Sequence, residues 1–485
     1  MDFPAQLAEG ALPRFPDSTE LLRLYAIALH QLDHREDALR RLRQAEQLSP
    51  DNLQVQCNLA SLEIADGHAD EAIERMRAAL RRAPGNPMIL LILGNALMAA
   101  ARYAQARESY AMATHGAPSH PGLRLNLAAV ELEIGHAEQS AIHANEALQI
   151  APGMGAAHAM LGHAHHLLGQ HAQAAQAFLR AEQLEPTESG HPYHAALMLD
   201  DLGRLEDARQ AYARALQLNG NNGAALSQLV FTLRRLCHWD ELNLLSVRLR
   251  AAVAGGMHGI TPFSFLAEDA SAEEQRHCAE TFAATIEAQM APLRRQLAFT
   301  HPMPAADTPI RVGFVSNGFG EHATGLLIVG MLEALISSNI ESHLYATAPN
   351  DGGAIRRRLE AVCTVHEIAG INLAAQAQHI HDDNIEVLID LSAYCEGTNA
   401  KLFALRPAPL QVNWLGYPGT SGAPWMDCLL ADAVVQPDHL RATTSEKLVR
   451  LPRCFQPSDT SRTIAPAPAR EDCGLPAHGT VFACF

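Results

Sequence analysis

The 485-residue chain has no C-x-x-C pair: its nine cysteines (57, 237, 278, 363, 395, 428, 454, 473 and 484) are scattered and odd in number. A zinc knuckle or a disulfide framework is therefore not expected, and a reducing compartment is. Basic charge is also short. The 36 Lys and Arg against 53 Asp and Glu leave a formal net charge of −17, which argues against a broad nucleic-acid footprint. The opening stretch "MDFPAQLAEG" has neither the basic nor the apolar region of a signal peptide. The longest apolar run, "MILLILGNALMAAA", is broken by Asn95 and is too short to span a bilayer. A soluble, cytoplasmic protein is expected, with neither nucleic acid nor membrane as partner.

What is present is ample core material, 48% hydrophobic residues against 18% charged ones, in a length that calls for two or three domains. The first half is ruled at 34 residues: Pro50, Pro84, Pro118, Pro152 and Pro186 each follow a helical segment, and the next step lands on Gly220. Twelve residues before these stand Ala38, Ala72, Ala106, Ser140, Ala174 and Ala208, and five before stand Ala45, Ala79, Ala113, Ala147, Ala181 and Ala215. Twenty-four before stand Ala26, Ala60, Gly94, Ala128, Gly162 and Ala196. Small side chains let two helices approach closely, and proline stops the second.

This register resembles the tetratricopeptide repeat, which implies a right-handed superhelix over residues 17–222 with a peptide-binding concave face. Asn58 and Asn126 share one repeat position, where other units carry Leu24, Ile92, Met160 and His194. Residues 223–300 read as a degenerate terminal pair followed by one or two transition helices, and "HPMPAADTP" as a linker. The histidines of "HAMLGHAHHLLGQH" read as a solvated helix face, since no carboxylate or cysteine accompanies them at ligand spacing.

From Ile310 the period changes. "IRVGFV", "SHLYAT", "VHEIA", "IEVLIDLS", "QVNWLG", "DCLLAD" and "EKLVRLP" read as strands, with helical stretches between the earlier ones. A mostly parallel sheet with helices on both faces is expected over 301–478. The loops "SNGFGEHATG", "LSAYCEGTN" and "LGYPGTSGAPW" follow strands and could line one crevice at their carboxyl ends.

"RVGFVSNGFGEHATG" followed by "LFALRPAPLQVNWLGYPGTSGAPWMD" resembles the catalytic region of the protein O-linked N-acetylglucosamine transferases, glycosyltransferase family 41. The resemblance implies an α superhelix followed by an α/β, Rossmann-like lobe of the GT-B arrangement. It also implies inverting transfer of N-acetylglucosamine from UDP-GlcNAc to serine or threonine hydroxyls of proteins threaded along the repeat groove. No metal or other cofactor is implied, and no D-x-D motif follows residue 310.

His322 matches the family's proposed general base; positioning of substrate, or of the loop alone, are the other roles open to it. The family's acidic residue four positions earlier is Gly318 here, and its proline after the histidine is Ala323. Thr324, Leu415 and Gly416 match positions near the donor sugar and diphosphate. Pro418, Gly419 and Thr420 shape a loop offering backbone amides, which is also how an ordinary turn would read. Tyr394 and Phe265 match acceptor-side positions, with packing as the alternative for both.

The family site lies between two lobes, and "GTVFACF", residues 479–485, reads as the buried first strand of the second. On that reading residues 1–485 alone bind uridine diphosphate weakly and transfer no sugar. The alternatives are an interaction scaffold with an inactive lobe, or a relative using another sugar or asparagine acceptors.

Overall fold

The structure is a computed structural model that describes residues 3–301, 308–395, 397–462 and 466–482. Fourteen helices run in order from Thr19–Gln31 to Trp239–Ala254, each packed on its neighbours along the chain. The second helix of each 34-residue unit ends at Leu48, Arg82, Gly116, Ile150, Leu184 and Leu218, two residues before the proline or, in the last unit, Gly220. Ala38, Ala72, Ala106, Ser140, Ala174 and Ala208 are all 0% exposed, so these are the positions where helices touch most closely.

Gly94 and Gly162 break the run of alanines at their position for a steric reason. A Cβ on Gly94 would enter the Tyr110 ring, and one on Gly162 the Phe178 ring. Both aromatics lie eight residues before the ruling proline, where the first unit has Leu42 against Ala26 and the second Met76 against Ala60. The histidine-rich unit departs from its reading as a solvated face. His163 packs edge-on to Phe178 and His194, which itself stacks on Phe178. Folding also brings Asp201 from the next unit to within 3.2 Å of His171, a carboxylate that spacing could not reveal.

A long helix, α1 (Ala272–Leu297), fuses the repeats to the lobe. Ser271 and Glu274 close its first turn as a reciprocal cap. Its Cys278 lies in the core of the last repeats, whereas Ala279, Ala283 and Ile286 lie in the core of the lobe. The proline-rich segment read as a linker falls largely at 302–307, outside the described residues.

The lobe then runs β1 (Ile310–Ser316), α2 (Ala323–Leu335), β2 (Ile340–Ala346), α3 (Ala354–Val362), β3 (Thr364–Glu367), α4 (Leu373–Asp382), β4 (Val387–Asp390), α5 (Ala400–Ala404), β5 (Leu410–Asn413), β6 (Cys428–Ala431) and β7 (Lys447–Arg450). All seven strands join one parallel sheet in the order β3-β2-β1-β4-β5-β6-β7. On one face Phe314, Leu344 and Val412 pack against Ile328 and Leu332 of α2 and Leu359 of α3. On the other, Val315, Tyr345 and Leu388 pack against Ile286 of α1, Ile380 of α4 and Phe403 of α5.

One expected strand is not formed. Gly479 to Phe482 belong to no strand: the Gly479 carbonyl accepts from Arg470 at 2.9 Å and the Phe482 side chain is 94% exposed. Residues 483–485 lie outside the described residues.

Candidate active site

The strand order reverses between β1 and β4, and the crevice beyond their carboxyl ends is where such sheets hold ligands. The three glycine-bearing loops meet there. A Cβ on Gly397, after β4, would enter the Asn317 side chain, after β1. Cys395 Sγ lies 3.3 Å from the Gly416 carbonyl oxygen, and Tyr394 Oη donates to the Ser421 carbonyl at 2.6 Å. The loops after β4 and β5 are thereby tied together.

His322 is exposed and caps α2, its Nδ1 accepting the Thr324 backbone N–H at 3.2 Å. The neutral tautomer that makes this bond carries its proton on Nε2. The ring lies back over Gly318, where an added Cβ would strike Nδ1. The glycine that replaces the family's acid is thus the residue that lets His322 cap its helix.

Two carboxylates, neither singled out by motif, hold the rest of this loop. Asp351, after β2, accepts the Glu321 N–H at 2.8 Å, and Glu321 accepts the Ala354 and Ile355 N–H groups at the start of α3. Backbone N–H groups of Glu321 and then Gly353 keep the Asp351 carboxyl below its ordinary pKa. Their partners lie about thirty residues away, across a strand crossover, so only the sheet order reveals them. The cleft lined by 317–322, Ala348, Pro349, Asp351 and Arg356 is about 90 Å³. A typical ligand pocket is roughly 300–1,000 Å³, so these residues form one wall of a site and do not enclose one.

The other sequence-derived candidates divide. Thr324 is buried in the first turn of α2, beside the His322 cap. Leu415 has φ of +78°, a strained conformation for a branched side chain, and Gly416 is exposed with its backbone against the Leu391 carbonyl, so a Cβ there would collide. Pro418 is exposed. Thr420 turns inward and donates to Glu446 Oε2 at 2.5 Å, and the same carboxylate accepts the Ser421 N–H at 2.7 Å. Glu446 is thus a buried anchor for the loop, hidden in what the sequence shows only as the start of a strand.

Tyr394 is buried between Phe282 and Tyr417, and burial raises its phenol well above the ordinary value, leaving it a neutral donor that holds Ser421. Phe265 is 1% exposed inside the core of the last repeats, so it presents no surface to an acceptor. His322, Thr324, Leu415 and Gly416 stand at the ends of β1 and β5; Thr420 and Tyr394 hold the loop that carries Leu415 and Gly416.

Between repeats and lobe runs a second, larger hollow of about 480 Å³, lined by Tyr193, Thr261, Phe282, Gln289, Leu373 and Thr398, among others. Thr398 belongs to the loop after β4, so this hollow abuts the crevice. Asn372 at the start of α4 donates to the Ile134 carbonyl at 3.0 Å, so the repeats touch the lobe directly. Within the repeats, Asn58 Nδ2 is buried without a hydrogen-bond partner, and Asn126 bonds to Asn95 at 3.3 Å. Among the described residues no helix is long and apolar enough to cross a membrane.

Residues 267–466 match the model of glycosyl transferase family 41. Tetratricopeptide-repeat models match at 35–94, 63–118, 91–155, 156–188 and 193–222. The chain is 34% identical over 203 residues to the probable UDP-N-acetylglucosamine--peptide N-acetylglucosaminyltransferase SEC of Arabidopsis thaliana, covering 39% of this chain and 20% of that protein. It is 38% identical over 159 residues to the UDP-N-acetylglucosamine--peptide N-acetylglucosaminyltransferase of Caenorhabditis elegans, covering 32% and 14% respectively. A mutant O-GlcNAc transferase of Thermobaculum terrenum is similar in structure, at 24% identity and a TM-score of 0.45 over 72% of this chain and 61% of that one. The match thus spans a fifth or less of each of these two curated relatives.

Proposed function

We propose that this chain, which joins tetratricopeptide repeats to a glycosyltransferase family 41 region, serves the inverting transfer of N-acetylglucosamine from UDP-GlcNAc to serine or threonine hydroxyls of proteins. The observation that carries the reading is His322, an exposed imidazole at the strand-order reversal of a sheet within the family 41 match. An acceptor oxygen attacks the anomeric carbon as its bond to the diphosphate breaks, and the hydroxyl proton passes to the imidazole.

In the resting structure the lone pair of Nδ1 is engaged by Thr324 N–H, so the base is freed when the ring turns away from its helix. The Leu415–Gly416 backbone offers close approach to the sugar, and Glu446 and Tyr394 hold that backbone in place. No residue here is assigned to a metal. Acceptor segments reach the crevice through the hollow between repeats and lobe, so many weak contacts replace a strict sequence requirement.

Mass spectrometry of acceptor proteins incubated with UDP-GlcNAc and this chain joined to a nucleotide-binding lobe tests this. Added N-acetylhexosamine on serine or threonine is expected. Modification of asparagine only would overturn the acceptor assignment, and partner binding without sugar transfer would leave a scaffold.

A further inference from the structure

Three histidines and an aspartate converge on the sheet face that carries α1, α4 and α5, away from α2 and its His322 cap. His343 stands on β2, His366 on the edge strand β3, His379 on α4, and Asp383 directly follows α4. His343, His366 and Asp383 hold donor atoms within 4.8 Å of one another, and His379 completes the group. His379 Nε2 is 2.8 Å from His366 Nδ1, His366 Nδ1 is 3.6 Å from Asp383 Oδ2, and His379 Nε2 is 3.4 Å from the same oxygen. A tetrahedral zinc ion with bonds of about 2.0–2.1 Å sets its ligand atoms roughly 3.3 Å apart, and this triangle has nearly that size.

The surroundings suit a metal. His366 Nε2 faces His343 Nδ1 at 3.1 Å, and His343 Nε2 faces Glu341 Oε1 at 3.1 Å. With both Nε2 atoms protonated, each ring donates onward and the chain ends on a carboxylate, the kind of support that orients metal-bound histidines. Arg311 holds the other oxygen of Glu341 at 3.2 Å. The Tyr345 ring stacks on His366 with centroids 4.7 Å apart, and its hydroxyl donates to Asp383 Oδ2 at 2.8 Å. His366 and Asp383 are thus fixed, whereas His379 is 44% exposed and leaves a way in from solvent.

We propose that His366 Nδ1, His379 Nε2 and Asp383 Oδ2 bind a divalent transition-metal ion of the zinc class, with water in the fourth position. Two imidazoles and one carboxylate favour such an ion over magnesium or calcium, which take oxygen ligands. The ion takes no part in sugar transfer; it pins the short edge strand β3 to α4.

Cobalt(II) titrated into the chelator-treated protein, followed by visible absorption, tests the proposal. One equivalent is expected to give the intense bands of tetrahedral cobalt, which zinc then displaces. His379→Ala, at an exposed helix position, and the isosteric Asp383→Asn should each weaken binding more than about tenfold. His171→Ala serves as the control, because His166, His171 and Asp201 in the repeats also hold donor atoms within 4.8 Å of one another; it should leave the bands unchanged. Absence of the bands, or bands that survive both lobe variants, would overturn the assignment. So would bands lost only with His171→Ala.

Discussion

Between the repeats, the small residues at positions that recur every 34 residues are mostly alanines, with Ser140, Gly94 and Gly162 as the exceptions, and the alanines are exposed by no more than a few per cent. Behind the crevice the contacts are polar: Asn413, Thr420 and Ser421 are buried and bonded to the buried Glu446 carboxylate, and the buried Asp390 accepts the Ser392 and Ala393 N–H groups. The difference is one of tolerance. An alanine contact is non-directional and repeated, so its energy is spread over six equivalent sites. The loop after β5 hangs on the Glu446 carboxylate and the Tyr394 hydroxyl, and a buried polar group that loses its partner costs its whole desolvation. The repeats can therefore drift in sequence while keeping their shape, whereas the loops fix a few atoms.

That contrast can be broken where it is strongest. Glu446→Ala leaves the Ser421 N–H without its acceptor and the Thr420 hydroxyl with only Ser445 Oγ, at 3.0 Å, to donate to, and should cost about 3 kcal/mol, read as a large fall in the melting temperature of the lobe. A change within a degree would mean that the loop has other support.

A smaller effect is expected where the repeats themselves bury a polar ring. Burial beside Phe178 holds His194 at about 4, well below an ordinary histidine. The unfolded chain then binds the proton first, so stability is full above about pH 6.5 and falls as pH drops toward 4. The loss is at most about 3 kcal/mol and should shrink in His194→Gln; melting at pH 7 and pH 5 on both proteins measures it.

The smallest effect tests the alanine ruler. Gly94→Ala drives a methyl into the Tyr110 ring and should cost about 1 kcal/mol, overpacking being partly offset by helix propensity. Adding Tyr110→Leu should recover stability, since the first unit already pairs Ala26 with Leu42. Denaturant melts of the single and double variants decide it, and no recovery would remove the steric account of Gly94.

Legibility follows the same division. The repeat register and the seven strands were readable because each rests on side-chain size or hydrophobic period, which neighbours in sequence display. The three loops could be placed in one crevice because each follows a strand of an expected parallel sheet, and the structure brings them together. What stayed hidden were pairings across crossovers: Glu446 with Thr420, Asp351 with Glu321, Asp201 with His171, and His343 and His366 with His379. Gly318 illustrates a subtler gap. As a sequence it is a missing acid, but in the fold it is the space that His322 occupies.

The account stands or falls on His322 as a group of chemistry and not of structure. Initial rates of N-acetylglucosamine transfer to protein by this chain joined to a nucleotide-binding lobe, at saturating donor and acceptor, should fall roughly 100- to 10,000-fold in His322→Ala. Thermal melting should barely move, because the ring is exposed and its one cap bond is long. Unchanged turnover, or a loss matched by unfolding, would contradict the account.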